Sequence, residues 1–154
     1  RFESFKKNDN GTIIVDYAHT PDAFEKMLSL IKKIDKQKKI ITLFGCGGDR
    51  DNLKRPLLGQ ISEKYSDEVI ITDDNPRFEN PEKIINDIIS GFNSANYSII
   101  NNRKDAIKKA ISKLTGKEIL IILGKGIENY QIVNNKKHYH NDVDIVKSLI
   151  WEYL

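Results

Sequence analysis

Ile70-Ile71-Thr72-Asp73-Asp74-Asn75-Pro76-Arg77 is an apolar, β-branched run that stops at two acids, an asparagine, a proline and an arginine. A run of that kind reads as a buried strand emptying into a loop, and in α/β proteins such loops carry function. The pattern recurs along the chain. Thr12 to Val15 breaks at Asp16-Tyr17-Ala18-His19-Thr20-Pro21, Lys39 to Phe44 at Gly45-Cys46-Gly47-Gly48-Asp49-Arg50-Asp51, and Glu118 to Leu123 at Gly124-Lys125-Gly126-Ile127-Glu128.

Helical periodicity fills the intervals. Phe24, Met27, Leu28, Ile31 and Ile34 form one apolar stripe, a helix is expected around Pro56 to Tyr65, and Ile84, Ile85, Ile88, Ile89 and Phe92 form another stripe. Thr20-Pro21 and Asn80-Pro81 each place a capping side chain before a proline at the first helical position, and Gly91 is expected to help end the second of these helices. Tyr97 to Ile100 predicts a short strand, Asn102 a further cap, and Ile107, Ala110, Ile111 and Leu114 a buried helix face. Strand and helix therefore alternate, which predicts βαβ crossovers and an α/β fold with a mainly parallel, Rossmann-like sheet and helices on both faces.

The two ends read differently. Phe2 and Phe5 followed by Asn8-Asp9-Asn10-Gly11 suit a short strand and a turn. Tyr130 to Val133 and Lys137 to Tyr139, joined across Asn134-Asn135, predict a C-terminal hairpin. A last helix from about Asp142 is expected to bury Val146, Leu149, Ile150 and Tyr153.

At 154 residues the chain is expected to be one domain. Its single cysteine, Cys46, cannot form an internal disulfide, and no apolar stretch approaches the roughly 20 residues that span a bilayer, so the reading is of a soluble cytoplasmic protein with no membrane partner. The charge of +3 comes from 25 basic and 22 acidic residues scattered without a basic block, which argues against nucleic acid as a partner. The chain opens on Arg1 rather than methionine and is read as a piece of something longer.

The loops all follow strands at their carboxyl ends, which share one edge of a parallel sheet, so a composite site is expected there. It would hold Asp16, His19, Arg50, Asp74, Asn75, Arg77, Lys125 and Glu128, with Gly45, Gly47 and Gly48 letting backbone approach a ligand. Guanidinium forks take carboxylates and acids take an ammonium, so an amino acid is the natural ligand. Each feature also has a plain reading. The glycine loop fits neither the dinucleotide nor the phosphate-loop spacing and can be an ordinary turn. Cys46 reads as a small buried thiol rather than a nucleophile, and His138 and His140 as part of an exposed hairpin rather than a metal site. Asp16 and His19 can serve as helix caps, and Arg77 as a surface ion-pair residue.

Val15-Asp16-Tyr17-Ala18-His19-Thr20-Pro21-Asp22, Phe44 to Asp51 with Lys54-Arg55-Pro56, Asp73-Asp74-Asn75-Pro76-Arg77, and Gly124-Lys125-Gly126 with Glu128-Asn129-Tyr130-Gln131 resemble, in this order, the C-terminal domain of the Mur ligases. The resemblance runs from Arg1 to the last helix and is strongest to members that add meso-diaminopimelate. It implies an ATP-dependent amide ligase of bacterial peptidoglycan synthesis, in which the D-glutamate carboxylate of a UDP-N-acetylmuramoyl dipeptide is phosphorylated and then attacked by the amine of the incoming amino acid. By position it makes Arg50, Asp74, Asn75, Pro76, Arg77, Gly124 and Glu128 contacts to meso-diaminopimelate, with Arg77 on the distal carboxylate, Arg50 on a carboxylate, and Asp74 and Glu128 near an ammonium.

The resemblance also implies that Arg1, Asp16 and His19 face ATP when the domain closes. ATP and Mg2+ would be bound mainly by a central domain, and the uridine nucleotide by an N-terminal domain, neither of which this sequence contains. No catalytic residue or metal ligand is therefore expected within it, and the stretch alone is expected to be inactive. Ile127 stands where the family usually has histidine. Three other readings differ in class: a dinucleotide-dependent dehydrogenase domain, which would need glycines after the first strand; a non-catalytic module binding an amino acid or a protein; and a folylpolyglutamate synthetase C-terminal domain.

Overall fold

A computed structural model describes residues 2–7 and 11–151. In chain order its elements are β1 (Glu3–Lys6), β2 (Thr12–Asp16), α1 (Pro21–Ile34), β3 (Lys39–Phe44), α2 (Lys54–Tyr65), β4 (Glu68–Ile71), α3 (Pro81–Ile89), β5 (Tyr97–Ile99), α4 (Arg103–Ser112), β6 (Glu118–Leu123), β7 (Tyr130–Val133), β8 (Lys136–Tyr139) and α5 (Asp142–Trp151). The Asn8-Asp9-Asn10 turn and Tyr153 lie outside the described residues.

The main sheet has the order β1-β2-β6-β3-β4-β5, with β1 antiparallel to β2 and every other pairing parallel. Successive side chains of a strand point to opposite faces, and both faces are covered. Ile40, Phe44, Ile119, Ile121 and Leu123 join Phe24, Leu28, Leu58 and Ile84 in a core beneath α1, α2 and α3. Ile41, Leu43, Leu120 and Ile122 join Ala106, Ile107, Val143 and Val146 in a second core beneath α4 and α5. This is the expected fold class: a mainly parallel α/β sheet with helices on both faces and a separate β7–β8 hairpin.

Local chemistry sets the element starts. The Thr20 side chain accepts from Ala23 N at 3.3 Å, Asn80 from Glu82 N at 2.9 Å and Asn102 from Asp105 N at 3.0 Å, each satisfying a helix-end donor. The hairpin turns through Asn134 and Asn135, whose φ values of 48° and 59° are those a two-residue turn between twisted strands requires. Some sequence expectations are corrected. Ile34, assigned to the buried stripe of α1, is 72% exposed because it occupies the helix's last turn. Gly91 does follow the end of α3, but its size matters more: a Cβ there would lie 1.9 Å from Pro56 O, and one at Gly59 would lie 2.3 Å from Ile88 O. The two glycines bring the backbones of α2 and α3 into contact.

His140 also departs from the exposed-hairpin reading. His138 is exposed, but His140 is buried beyond the end of β8, with Nε2 2.8 Å from Asp142 Oδ1. Arg103 Nε and Nη2 donate to the same carboxylate at 2.9 and 2.8 Å, and Nη2 also donates to Leu123 O at 3.0 Å. The starts of α4 and α5 are thereby tied to the end of β6. Burial, the largest influence on Asp142, pushes its carboxyl upward, but the charge of Arg103 and hydrogen bonds from His140 and Arg103 carry it below the usual carboxylate range.

Two outcomes follow from this packing. Gly91→Ala should lower stability by about 1–3 kcal/mol, the usual cost of overpacking, read from the urea midpoint at unchanged m-value. A carboxyl with a depressed folded pKa contributes stability that is complete above its unfolded value and is lost as pH falls through the folded one. Stability should therefore decline as pH drops below about 4, and Asp142→Asn should flatten that part of the profile while lowering stability at neutral pH.

Candidate functional site

After β2 and β3 the chain leaves toward α1 and α2 on one face, whereas after β6 it leaves toward α5 on the other. Divergence between adjacent parallel strands opens a crevice beyond their carboxyl ends. A cleft of about 390 Å³ lies there, and it brings together Arg50, Asp74, Asn75, Arg77, Gly124 and Glu128, with His19 at its rim. Asp16 lines an adjoining groove of about 480 Å³ that shares Tyr17 and His19 with the cleft and is walled by Met27 and Leu30 of α1. Pro76 is not in the lining. It is buried behind it, its carbonyl accepting from Glu79 N at 3.0 Å and pressing on Gly48. Arg1 lies outside the described residues.

The glycine loop packs against its neighbour as well as lining the cleft, where Gly45 and Gly47 lie and Gly48 does not. A Cβ at Gly45 would lie 2.1 Å from Thr72 O, one at Gly48 1.9 Å from Pro76 O, and one at Gly47 2.9 Å from Arg77 Nη1. The Asp73–Glu79 loop thus lies directly on the glycine loop. Gly48 N donates to Asn75 O at 2.8 Å, and Arg77 Nη1 returns to Gly48 O at 2.8 Å and Asn75 O at 3.3 Å. With φ at 54°, Arg77 occupies the left-handed region, an uncommon conformation that its surroundings must impose.

The hairpin supplies much of that constraint, which sequence reasoning missed. Arg77 N donates to Ile132 O at 3.0 Å and Asn134 N to Arg77 O at 2.8 Å, so the loop pairs with β7 through an isolated bridge, Arg77 to Val133. Ile132 N donates to Asn75 Oδ1 at 2.9 Å, and Gln131 Nε2 to Asp74 O at 2.6 Å. The available signal was Tyr130-Gln131 directly after the Gly124–Glu128 loop. Tyr17 and Tyr130, also unassigned, line the cleft.

Lys125 is the centre of the acidic side. Its ammonium is fully buried and lies 3.1 Å from Asp74 Oδ1, 3.1 Å from Asn75 Oδ1 and 3.2 Å from Glu128 Oε2. A cation the protein itself supplies therefore engages one oxygen of each acid. Gly124, at φ 109°, keeps a side chain away from Asp74 Oδ2, which a Cβ would approach to 3.1 Å. Burial first, and then the charge of Glu128, raise the Tyr17 phenol above its ordinary value. Ile127 is 44% exposed, and Glu128 is positioned without help from it, through Lys125 Nζ and through its own N–H to Lys125 O at 2.9 Å.

Asp16 Oδ1 accepts from Ala18 N at 2.8 Å, while the α1 cap is Thr20. His19 Nδ1 lies 2.9 Å from Tyr17 O, and a carbonyl only accepts, so the proton sits on Nδ1. Cys46 is a buried thiol, pushed up to about 12 by burial, which removes it as a nucleophile at neutral pH. Among the described residues no group of three or more His, Cys, Asp or Glu converges to hold a metal ion, and no helix is long and apolar enough to cross a membrane.

A family model described as Mur ligase, glutamate ligase domain, matches residues 1–126. The UDP-N-acetylmuramoyl-L-alanyl-D-glutamate–2,6-diaminopimelate ligase of Rickettsia rickettsii is 51% identical over 143 residues, covering 92% of this chain and 30% of that protein. The ligase of the same name from Clostridioides difficile is 47% identical over 152 residues, 97% of this chain and 31% of that one. A solved structure of a ligase so named superposes with a TM-score of 0.91 at 39% identity, over 99% of this chain and 31% of that chain. The chain thus spans about 30% of the curated relatives it matches. A crystallised domain from Haemophilus ducreyi shares the fold over 100% of both chains at 12% identity and a TM-score of 0.63. Folylpolyglutamate synthase of Thermotoga maritima, at 21% identity and a TM-score of 0.60, shares the fold alone.

Replacing Lys125 by methionine would leave Asp74 and Glu128 facing each other without their cation. Because both acids keep some solvent contact, the loss should be about 3 kcal/mol, the low end for breaking a buried pair, measured by chemical denaturation at pH 7.

Proposed function

The chain belongs to the Mur ligase family as its glutamate ligase domain, and on that premise we propose that it is the amino-acid-binding domain of an ATP-dependent amide ligase that adds meso-diaminopimelate to UDP-N-acetylmuramoyl-L-alanyl-D-glutamate in peptidoglycan synthesis. The observation that carries the reading is the convergence of two guanidiniums, Arg50 and Arg77, and two acids, Asp74 and Glu128, in one cleft at the sheet's carboxyl edge. Each end of meso-diaminopimelate bears an ammonium and a carboxylate. Arginines suit the carboxylates as forked donors, and the acids suit an ammonium.

Arg77 is the discriminating group. Its Nη1 is held by the carbonyls of Gly48 and Asn75, which fixes the guanidinium plane and leaves the other donors for a ligand. A distal carboxylate completes that charge. The side chain of lysine would bring an ammonium to the same place and be repelled.

The domain's part in the reaction is delivery. An amine preoriented toward an activated carboxylate gains several kcal/mol of barrier through proximity, provided the domain can close on its partner domains. ATP, when bound, supplies the phosphoryl group that activates the acceptor carboxylate; Mg2+ and most nucleotide contacts fall to parts of the protein outside this chain. The groove beside the cleft, with Asp16 and His19 on its lip and Met27 and Leu30 on its wall, suits a flat nucleotide base, and we assign it the ATP-facing role. A reaction using ATP and a nucleotide-linked precursor belongs in the cytoplasm.

Titration calorimetry tests the reading on the 154-residue chain. It should bind meso-diaminopimelate in preference to L-lysine and hydrolyse no ATP. Arg77→Ala should weaken diaminopimelate by about 100-fold, the range for losing a charged hydrogen bond, and should strengthen rather than weaken lysine, whose ammonium it no longer repels. Wild-type affinity in that variant would remove the carboxylate clamp from the proposal.

A further inference from the structure

We infer that Arg55 and Glu79, which lie outside the cleft, are positioning residues for ligand discrimination: their ion pair sets the spacing of the two loops that carry Arg50 and Arg77. The inference rests on the ligand proposed above.

Arg55 sits in the first turn of α2 and is fully buried, a costly place for a guanidinium unless its donors are matched. Nη1 and Nη2 each donate to one oxygen of Glu79 at 2.7 Å, the forked geometry that only arginine provides. Nη2 also donates to Gly47 O at 3.0 Å, and Nη1 to Asp87 Oδ2 at 2.8 Å. One side chain thus holds the glycine loop, the end of the Asp73–Glu79 loop and α3 together. Glu79 extends the link, since its Oε2 accepts from Asp49 N at 3.0 Å. Asp49, at φ 52°, returns a bond from Phe78 N to its Oδ2 at 3.1 Å.

The consequence lies in the chain positions. Asp49 immediately precedes Arg50, and Glu79 is two residues past Arg77. Both cleft arginines are therefore anchored to the same ion pair, buried on its Arg55 side and partly exposed at Glu79, although neither residue lines the cleft. Moving the pair apart changes where two carboxylate-binding forks point relative to each other. A ligand with two carboxylates senses that separation; one with a single carboxylate does not.

Arg55 also supplies a control: Asp87 itself bonds neither loop, although it shares Arg55 Nη1 with Glu79 and Lys83 lies 3.0 Å from Glu79 and 3.8 Å from Asp87, so its loss perturbs the cation network while leaving the two loop bonds in place. The experiment compares Glu79→Gln, Arg55→Lys and Asp87→Asn in the 154-residue chain by thermal unfolding and by NMR titration, which reads millimolar affinities, with meso-diaminopimelate and L-lysine. All three should lower Tm. Glu79→Gln and Arg55→Lys should weaken diaminopimelate about tenfold with lysine within twofold of wild type, whereas Asp87→Asn should leave both affinities within twofold. Should Arg55→Lys fail to fold, Glu79→Gln carries the comparison. The inference is overturned if Glu79→Gln loses stability yet keeps the preference, or if it weakens both ligands equally. A wild-type chain that binds no diaminopimelate would instead sink the proposed function, and this inference as a statement about that ligand with it.

Discussion

β6 enters the sheet between β2 and β3 with parallel pairing on both sides, after the chain has already laid β3, β4 and β5 outward. Right-handed crossovers put α1, α2 and α3 on one face during the outward course and α4 on the other for the return. The segments leaving β2, β3 and β6 must then part at the carboxyl edge. The cleft is what remains between them, so the site's location follows from strand order rather than from any one side chain.

What holds the loops in that gap is a set of buried cations. Lys125 joins Asp74, Asn75 and Glu128; Arg55 joins Gly47, Glu79 and Asp87; Arg103 joins Leu123 and Asp142. Each is at most 1% exposed, and each reaches a loop or strand end at the same sheet edge. Desolvating three cations contributes little to net stability, since apolar replacements can do as well. Their value is geometric. A charge that loses a partner is heavily penalised, so these pairs resist the small loop displacements that an apolar contact would tolerate.

The architecture was legible because its signals are local: caps, β-branched runs and helical stripes lie within a few residues of what they specify. The loops' common edge followed from parallel pairing. The wiring between loops was not legible, since contacts such as Arg55 to Glu79 and Gln131 to Asp74 join residues 24 and 57 positions apart. The space a side chain would take at Gly45 and Gly48 is filled by another loop's carbonyl, which the sequence does not show, although Gly45 still lines the cleft. Arg55 entered only as part of a motif with no contact assigned, and His140 looked like one of two exposed imidazoles, because periodicity does not reveal which charge another segment will cover. Lys125 was expected to line the site but lies buried behind it, and its neutralisation of Asp74 and Glu128 depends on that depth, which the sequence does not state.

That neutralisation bears on selectivity under the ligase reading. Formally, Arg50, Lys54 and Arg77 with the buried Lys125 set four positive charges against the three of Asp51, Asp74 and Glu128, so the cleft carries one positive charge in excess. Without Lys125 the balance would be even, and lysine, with its net positive charge, would meet no overall repulsion. With Lys125 present, a unit charge about 8 Å away costs about 2 kcal/mol at an effective dielectric of about 20, roughly a 30-fold disadvantage, whereas a diamino diacid of zero net charge meets none. The buried lysine and the arginine clamp then act on the same distinction by different routes. On that reading Arg77 would contribute through a directed contact, sensitive to geometry. Lys125 contributes through field, insensitive to it, so part of the preference would survive even where the clamp is imperfectly aimed.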